Sequence, residues 1–517
     1  MDKTQILWAD DEIDLLKPHI IFLENKGYEI LTTNNGHDAI TLAKENNPDL
    51  VLLDENMPGL SGLETLLILK ENKPDLHVVM ITKNEEEHIM EEAIGSKISD
   101  YLIKPVNPNQ ILLAIKKLVD KNRIVTEKAT SRYMQEFRNI SMSLMDNLSY
   151  PEWVAIYKKL VFWALELEVA DEEGLKSVWE TQMTEANNNF AKFIAKNYVG
   201  MLDTTGDENP VMSHNLLRRN VIPLCKDVPV FFILIDNLRY DQWKTLAPLI
   251  SEKFNVVSDD IYLSTLPTTT QYCRNSIFSG LLPSEIYKRF PDKWSFDEDE
   301  GGKNNFEDFF LEDLMKRLRF DKKTSYHKIV KLHQAKELND SINNLFTNDL
   351  NVIVYNFVDA LSHARTDSHV IRELAEDEAA YRSLTLSWFK HSPLWDTLQQ
   401  LAEKPCKVII TTDHGSVKVG NPVKIVGDKN TTTNLRYKQG KNLSYNAKEV
   451  FEITKPEAAY LPKSNVSTGY VFTRNNDFFA YPNNYNHYVN YYKNTLQHGG
   501  ISLEEMLIPF IVLEPNK

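Results

Sequence analysis

Near the start of the chain, five polar residues each close a short apolar run: Asp10 and Asp11 after QILWA, Asp54 after DLVLL, Thr82 after LHVVMI and Lys104 after SDYLI. Carboxylates gathered in one place repel each other and need a cation. An all-oxygen donor set of this kind suits Mg2+, which keeps several waters and takes few protein ligands. In such a pocket Asp54 is the nucleophile and Lys104 is a point charge for a phosphoryl oxygen. Thr82 donates a hydroxyl hydrogen bond to another oxygen, and Pro105 fixes the turn behind Lys104. Together these parts make an aspartyl-phosphate site.

The pattern recurs with different chemistry further on. VPVFFILID ends in Asp236, VIVYNFVDALSH in Asp359 and His363, and KVIITTDHG in Asp413 and His414, while QHGG adds His498. Aspartates at the ends of buried strands are costly unless cations compensate them. Three carboxylates and three imidazoles fit zinc, with manganese the second choice. Asp359 and His363 stand four apart, so one helical turn puts both on one face. Asp413 and His414 are adjacent, which places them in a loop. A hydroxyl nucleophile is offered by LPTTTQYCRNSIFSGLLPSE, where Thr268, Thr269 and Thr270 stand at a loop-to-helix start that attracts phosphate. Arg274 and Asn275 follow closely enough to touch a phosphoryl oxygen.

Elements that could position these residues follow from the pattern around them. Apolar runs separated by helical periodicity predict parallel sheets covered on both faces, with the chemistry at the carboxyl ends of the strands. At about 100 to 200 residues per domain, 517 residues predict several domains. We read three, all α/β except the middle one. A doubly wound parallel domain spans 1–122, a helical connector bundle 123–215 and a larger α/β domain 216–517. In the connector, WVAIYKKLVFWALELEVA and FAKFIAKNYVGML repeat apolar residues three and four apart, with a helix start at Pro151 and Trp153, Tyr157 and Trp179 as core.

Composition bounds the function. Three cysteines, widely spaced, exclude a disulfide framework and a Cys-based zinc module. A net charge of −15 disfavours long nucleic acid, whose phosphates demand a basic face. The start of the chain lacks a leader-like apolar region, and no apolar run is long enough to span a bilayer, so we expect a cytoplasmic protein without membrane insertion. Lys424, Lys429, Arg436, Lys438 and Lys441 form a candidate mobile anion grip, and the run FFAYPNNYNHYVNYYKN could stack bases or simply pack a loop.

The first segment resembles the response-regulator receiver family over residues 3 to 120. Its acidic pair, phosphoacceptor, switch threonine and Lys-Pro match Asp10, Asp11, Asp54, Thr82, Lys104 and Pro105, and DENMPGLSG around Asp54 matches as well. The resemblance implies that Asn56 offers its carbonyl to the Mg2+, that Tyr101 is an aromatic switch, and that a sensor histidine kinase is the phosphoryl source. It also implies phosphorylation-dependent homodimerisation.

The order Asp, Thr, Asp-x-x-x-His, Asp-His-Gly, His-Gly-Gly over 220 to 515 resembles the alkaline phosphatase superfamily, especially its PglZ group. That resemblance assigns Asp236, Thr270, Asp413 and His414 to one Zn2+ and Asp359, His363 and His498 to the other. It selects Thr270, ten residues before Gly280, as the covalent nucleophile, with Thr269 in reserve. Two metals about 4 Å apart clamp the apical oxygens of an in-line displacement. A phosphothreonine intermediate and net retention at phosphorus are expected, with small nucleotide-like phosphate esters as substrates. Receiver and PglZ-type domains in one chain resemble PorX-like response regulators. This implies control of type IX secretion, with an extracytoplasmic-function sigma factor and secretion components among the partners. The competing reading is a catalytically weak, phosphorylation-dependent adaptor that binds those partners through the metal domain.

Overall fold

The computed structural model describes residues 4–83, 98–170, 173–202, 209–296, 299, 301–367, 377–428 and 431–516; within these, the side chains of 120–131, 169, 170, 173 and 363–367 are not described. The chain forms two compact units, Met1–Gln135 with Ala170–Glu172, and Glu136–Val169 with Glu173–Lys517.

In the first unit five strands, β1 (Gln5–Ala9), β2 (Glu29–Thr33), β3 (Leu50–Asp54), β4 (His77–Thr82) and β5 (Asp100–Ile103), lie in the order β2-β1-β3-β4-β5, all parallel. Successive side chains of a strand point to opposite faces. Leu7, Ala9, Val51, Leu53, Val78 and Met80 accordingly pack on one side with Leu66 and Leu69, and Ile6, Trp8, Leu50, Leu52, Val79 and Ile81 on the other with Leu23, Ile111 and Ile115. Both faces are apolar and both are covered by helices, as a doubly wound parallel sheet requires.

The second unit is built on six strands. β6 (Val230–Ile235), β8 (Thr324–Ile329), β9 (Leu350–Tyr355) and β10 (Lys407–Thr411) run parallel. β7 (Phe254–Leu263) and the C-terminal strand Leu507–Pro515 complete the order β7, C-terminal strand, β10, β6, β9, β8. The C-terminal strand is antiparallel to both its neighbours, β10 and β7. Register pairs Ile235 with Tyr355 and Thr411 with Leu234, so the residues that follow each strand emerge side by side.

The connector differs from the separate bundle expected of it. Its helices Tyr150–Ala170 and Glu173–Met201 share one continuous core with the six-stranded sheet: Trp153, Tyr157, Leu160, Phe190 and Ile194 belong to the same cluster as β6 and β10. The cause is in the amphipathicity: the buried residues form too broad a stripe for two helices to cover alone. Trp179 is only partly buried, and its indole donates to the Leu160 carbonyl at 2.9 Å. Polar groups seal the joint. The Leu266 amide donates to the Tyr198 hydroxyl at 2.7 Å, and buried Asn187 accepts from the Leu503 amide at 2.7 Å while donating to Glu504 Oε2 at 3.0 Å. A charge chain runs inward from the exposed Glu168 on the first of these helices to buried Arg382 at 2.5 Å, then to buried Asp241 at 2.9 Å, which Arg239 grips with two nitrogens at 3.0 and 2.7 Å. Among the described residues, no helix is long and apolar enough to cross a membrane.

Asn187 joins the connector to the helix Leu503–Met506 through both ends of one amide, so Asn187→Ala leaves the buried Leu503 amide unpaired and takes a donor from the half-buried Glu504 carboxylate. Thermal or urea unfolding of the full chain should show the second unit destabilised by about 1–3 kcal/mol.

Candidate functional site

At the carboxyl ends of β1, β3 and β5 the structure gathers the receiver residues. Carboxylate oxygens of Asp10, Asp11 and Asp54 lie within 4.8 Å of one another; Asp10 and Asp54 are buried and Asp11 is exposed. Lys104 Nζ bridges two of them, 2.9 Å from Asp10 Oδ2 and 2.8 Å from Asp54 Oδ1. Burial and the neighbouring acids raise the Asp54 carboxyl to about 6, against the lowering effect of Lys104. A group this uneasy as an anion gains from a further cation or from a covalent bond on its oxygen. The Thr82 hydroxyl donates to the Glu55 carboxylate, Tyr101 is 40% exposed, and Asn56 is exposed beside the pocket.

The second site lies beyond β6, β9 and β10. Asp236 directly follows β6, and its amide donates to the Tyr355 carbonyl at 2.8 Å. Asp413 and His414 sit in the loop after β10, and Asp359 on the first turn of the helix Phe357–Asp367 after β9. His363 lies on that same helix, but its side chain is outside the described residues. Donor atoms of Asp236, Asp413 and His414 lie within 4.8 Å of one another, all buried. Of the other set, His498 Nε2 stands 3.8 Å from Asp359 Oδ1, and its ring stacks on His414 at 4.2 Å between centroids, so the two sets adjoin. Gly499, next to His498, has φ +122, and a Cβ there would meet Asn434 and Tyr437 at 2.8 Å. A glycine is needed for the loop to turn His498 inward.

The helix Thr270–Ser279 begins at the site. Thr269 is its extended N-cap, and Gly280 closes it in the left-handed conformation at φ +60. Gly280 is thus the helix's C-terminal stop, which explains its fixed distance from the threonines. Thr270 Oγ1 lies 3.1 Å from His414 Nε2 and 3.5 Å from Asp236 Oδ1. The Thr269 hydroxyl is buried with no hydrogen-bond partner, and Thr268 is spent on the Gly500 carbonyl at 2.9 Å.

Charge supports a cation here. Burial raises the Asp236 carboxyl well above the ordinary range, and Asp413 and Asp359 add to it against Arg274; at Asp413 the opposing pull of Arg274 and His414 overcomes burial and lowers it. Carboxylate and imidazole donors together suit a zinc-like dication.

Several residues depart from the sequence reading. Arg274 does not reach for a phosphoryl oxygen but pairs with Asp236 and Asp413. Asn275 donates to the Lys303 carbonyl at 3.3 Å and accepts from Asn304 at 3.2 Å. The basic stretch divides, with Lys424 and Lys441 exposed and two of the others buried. Arg436 is fully buried against Glu505 at 2.5 Å, Lys438 is buried on the Thr432 carbonyl at 2.8 Å, Lys424 lies over the Tyr485 ring, and Lys429 falls outside the described residues. The aromatic run divides: Phe478, Phe479 and Ala480 are core, while Tyr488 and Tyr491 are exposed.

Three family models match the chain in succession: a response regulator receiver domain over 6–116, a PorX response regulator linker domain over 123–202 and a BREX system PglZ alkaline phosphatase-like domain over 216–513. The transcriptional regulatory protein SrrA of Staphylococcus aureus is 30% identical over 187 residues, which cover 34% of this chain and 77% of that protein. Among solved structures, a receiver domain from Clostridium thermocellum matches at 28% identity over 23% of this chain and 98% of its own, with TM-score 0.22. One from Methanospirillum hungatei matches at 25% over 23% and 96%, with TM-score 0.23.

The raised Asp54 carboxyl has a consequence for stability. A carboxyl whose folded pKa lies above its unfolded one stabilises the fold at low pH and loses that contribution as pH rises through the folded value. The window runs from the ordinary 3.8 to about 6. In magnesium-free buffer, Asp54→Asn should stabilise the receiver transition of the full chain by roughly 1–3 kcal/mol above about pH 7, and have little effect below about pH 4. Calorimetry across that range checks it.

Proposed function

As the chain belongs to the PglZ alkaline phosphatase-like family and carries a receiver domain and a PorX linker domain ahead of it, as PorX-like response regulators do, we propose that phosphorylation of Asp54 controls a two-zinc phosphodiesterase acting on small nucleotide-like esters. One observation carries the hydrolase half: a threonine hydroxyl at a helix N-terminus, Thr270, stands 3.1 Å from His414 Nε2 and 3.5 Å from Asp236 Oδ1 in a buried acidic pocket.

Asp236, Asp413 and His414 with Thr270 would hold one Zn2+, and Asp359, His363 and His498 the other. Bound there, the ions supply positive charge that lowers the pKa of the threonine hydroxyl and stabilises the departing oxygen. The chain's own groups do the rest. Thr270 Oγ1 gives its proton to solvent and attacks phosphorus as the bond to the leaving oxygen breaks on the opposite side, and that oxygen takes up a proton from solvent. The amides of Thr270 and Gln271 at the helix start would hold the phosphoryl oxygens, since those of Tyr272 and Cys273 already donate to the Thr269 carbonyl. Water then attacks the phosphothreonine, breaking its P–O bond and restoring Thr270 with net retention. Thr269, with its unpartnered hydroxyl, would donate to a phosphoryl oxygen.

At the other end of the chain, a sensor histidine kinase supplies the phosphoryl group to Asp54, with Mg2+ held by Asp10, Asp11, Asp54 and the Asn56 carbonyl. Phosphorylation draws Thr82 from Glu55 and turns Tyr101 inward, re-forming a surface on which two copies pair. The likeness to PorX-like response regulators, which the linker match supports, implies a role in type IX secretion, with a sigma factor and secretion components as partners.

Two measurements test this reading. Thr270→Ala should retain its zinc, since the remaining ligands are intact, yet lose hydrolysis of bis-nitrophenyl phosphate by on the order of 10^3-fold or more. Retained turnover would move the role to Thr269 or to a water nucleophile. Acetyl phosphate with Mg2+ should label the wild type and double its mass in light scattering, with neither effect in Asp54→Ala. An unchanged mass in the labelled protein would count against dimerisation as the output.

A further inference from the structure

Arg274 stands one helical turn after Thr270, on the same face of the helix. It is fully buried, which is rare for arginine unless every part of the guanidinium is paired. Here it is. Nε donates to Asp413 Oδ2 at 3.0 Å, Nη2 pairs with Asp236 Oδ2, and Nη1 donates to Asn356 Oδ1 at 3.1 Å and lies 3.6 Å from Glu307 Oε1. Glu307 is itself buried, and its other oxygen accepts from Lys328 Nζ at 2.8 Å. Three carboxylates and an amide oxygen converging on one positive charge form a cation cage, and its occupant is a side chain.

We propose that Arg274 is a built-in cation of the hydrolase centre, a positioning residue that sets the donor geometry of the first metal site. It takes Oδ2 of Asp236 and leaves Oδ1 facing Thr270 Oγ1 and His414 Nε2, 3.5 and 3.7 Å away. On Asp413 it fixes the carboxylate plane, with the Thr412 hydroxyl at 3.3 Å on the other oxygen. Two effects on metal binding oppose each other. A neighbouring positive charge repels a dication, but this one is already matched by Asp236, Asp413 and Glu307, so its net field is small. Without it, the two aspartates are free to rotate and the cage around Glu307 is left open. Loss of orientation therefore outweighs relief of repulsion. The planar fork is essential, because a lysine's point charge cannot reach four oxygens on three edges at once.

The inference rests on the metal reading of the site but not on its chemistry. Full-chain protein stripped of metal, with Arg274→Ala and Arg274→Lys, is titrated with zinc against a chelating dye, and folding is followed by circular dichroism. Both variants should bind first-site zinc about 10- to 100-fold more weakly, as expected when a ligand's outer partner is lost. Low-millimolar guanidinium ion should restore affinity in Arg274→Ala, whose cage it can enter, and not in Arg274→Lys, whose cage is filled. Folded Arg274→Ala with wild-type or tighter zinc affinity overturns the proposal, and so does a weakened variant that guanidinium fails to rescue. Should Arg274→Ala not fold, Arg274→Lys decides: wild-type zinc affinity there overturns it, and a weakened affinity in the folded protein supports it. Wild type that binds no zinc removes the metal reading and this inference together. Wild type that binds zinc but hydrolyses no diester leaves this one standing.

Discussion

Asp236 and Asp413 follow neighbouring parallel strands, so the register that pairs β6 with β10 also forces two negative charges into one dry pocket, with Asp359 close by. Two like charges about 4 Å apart repel by about 4 kcal/mol at the effective dielectric of protein sites. That is a large part of the roughly 5–15 kcal/mol by which a domain is stable. The sheet cannot relieve it by sliding, because a shift of register would expose its apolar faces. Compensation has to come from elsewhere, and the helix Thr270–Ser279 delivers it together with the hydroxyl at its first turn.

The receiver solves the same problem with different material. Lys104 spans Asp10 and Asp54 as Arg274 spans Asp236 and Asp413. Lysine is a single charge on a flexible stem, with 14% of its side chain exposed, and can follow an oxygen that moves or gains a phosphoryl group. The guanidinium is held on three edges and fully buried. One acid cluster is thus built around a cation that can be re-aimed, the other around one that cannot.

Strand-end acids were legible because a buried strand leaves a plain trace, an apolar run closed by an abrupt aspartate, and Asp10, Asp54, Asp236 and Asp413 all carry it. Asp359 and His498 were harder and needed the order of several fragments. Arg274 read as a phosphate contact because its partners lie 38 residues before it and 33, 82 and 139 residues after it. Arg436 misled for the same reason: Glu505, which buries it, comes 69 residues later, and composition shows the charge without its partner. The connector's periodicity marked helices correctly but could not say what covers them, since an amphipathic stripe looks alike whether it faces another helix or a sheet.

The shared core separates two ideas of a domain. The family models place a boundary between residues 202 and 216, whereas one core cluster takes buried side chains from both sides of it, from Ile140 to Leu513. The stretch that is inherited as a unit is therefore shorter than the stretch that folds as one. An output module moved to another receiver, by recombination or by design, would have to take residues from about Glu136 onward with it. Cut at the family boundary, it would lose Trp153, Tyr157, Leu160, Phe190 and Ile194 from its own core.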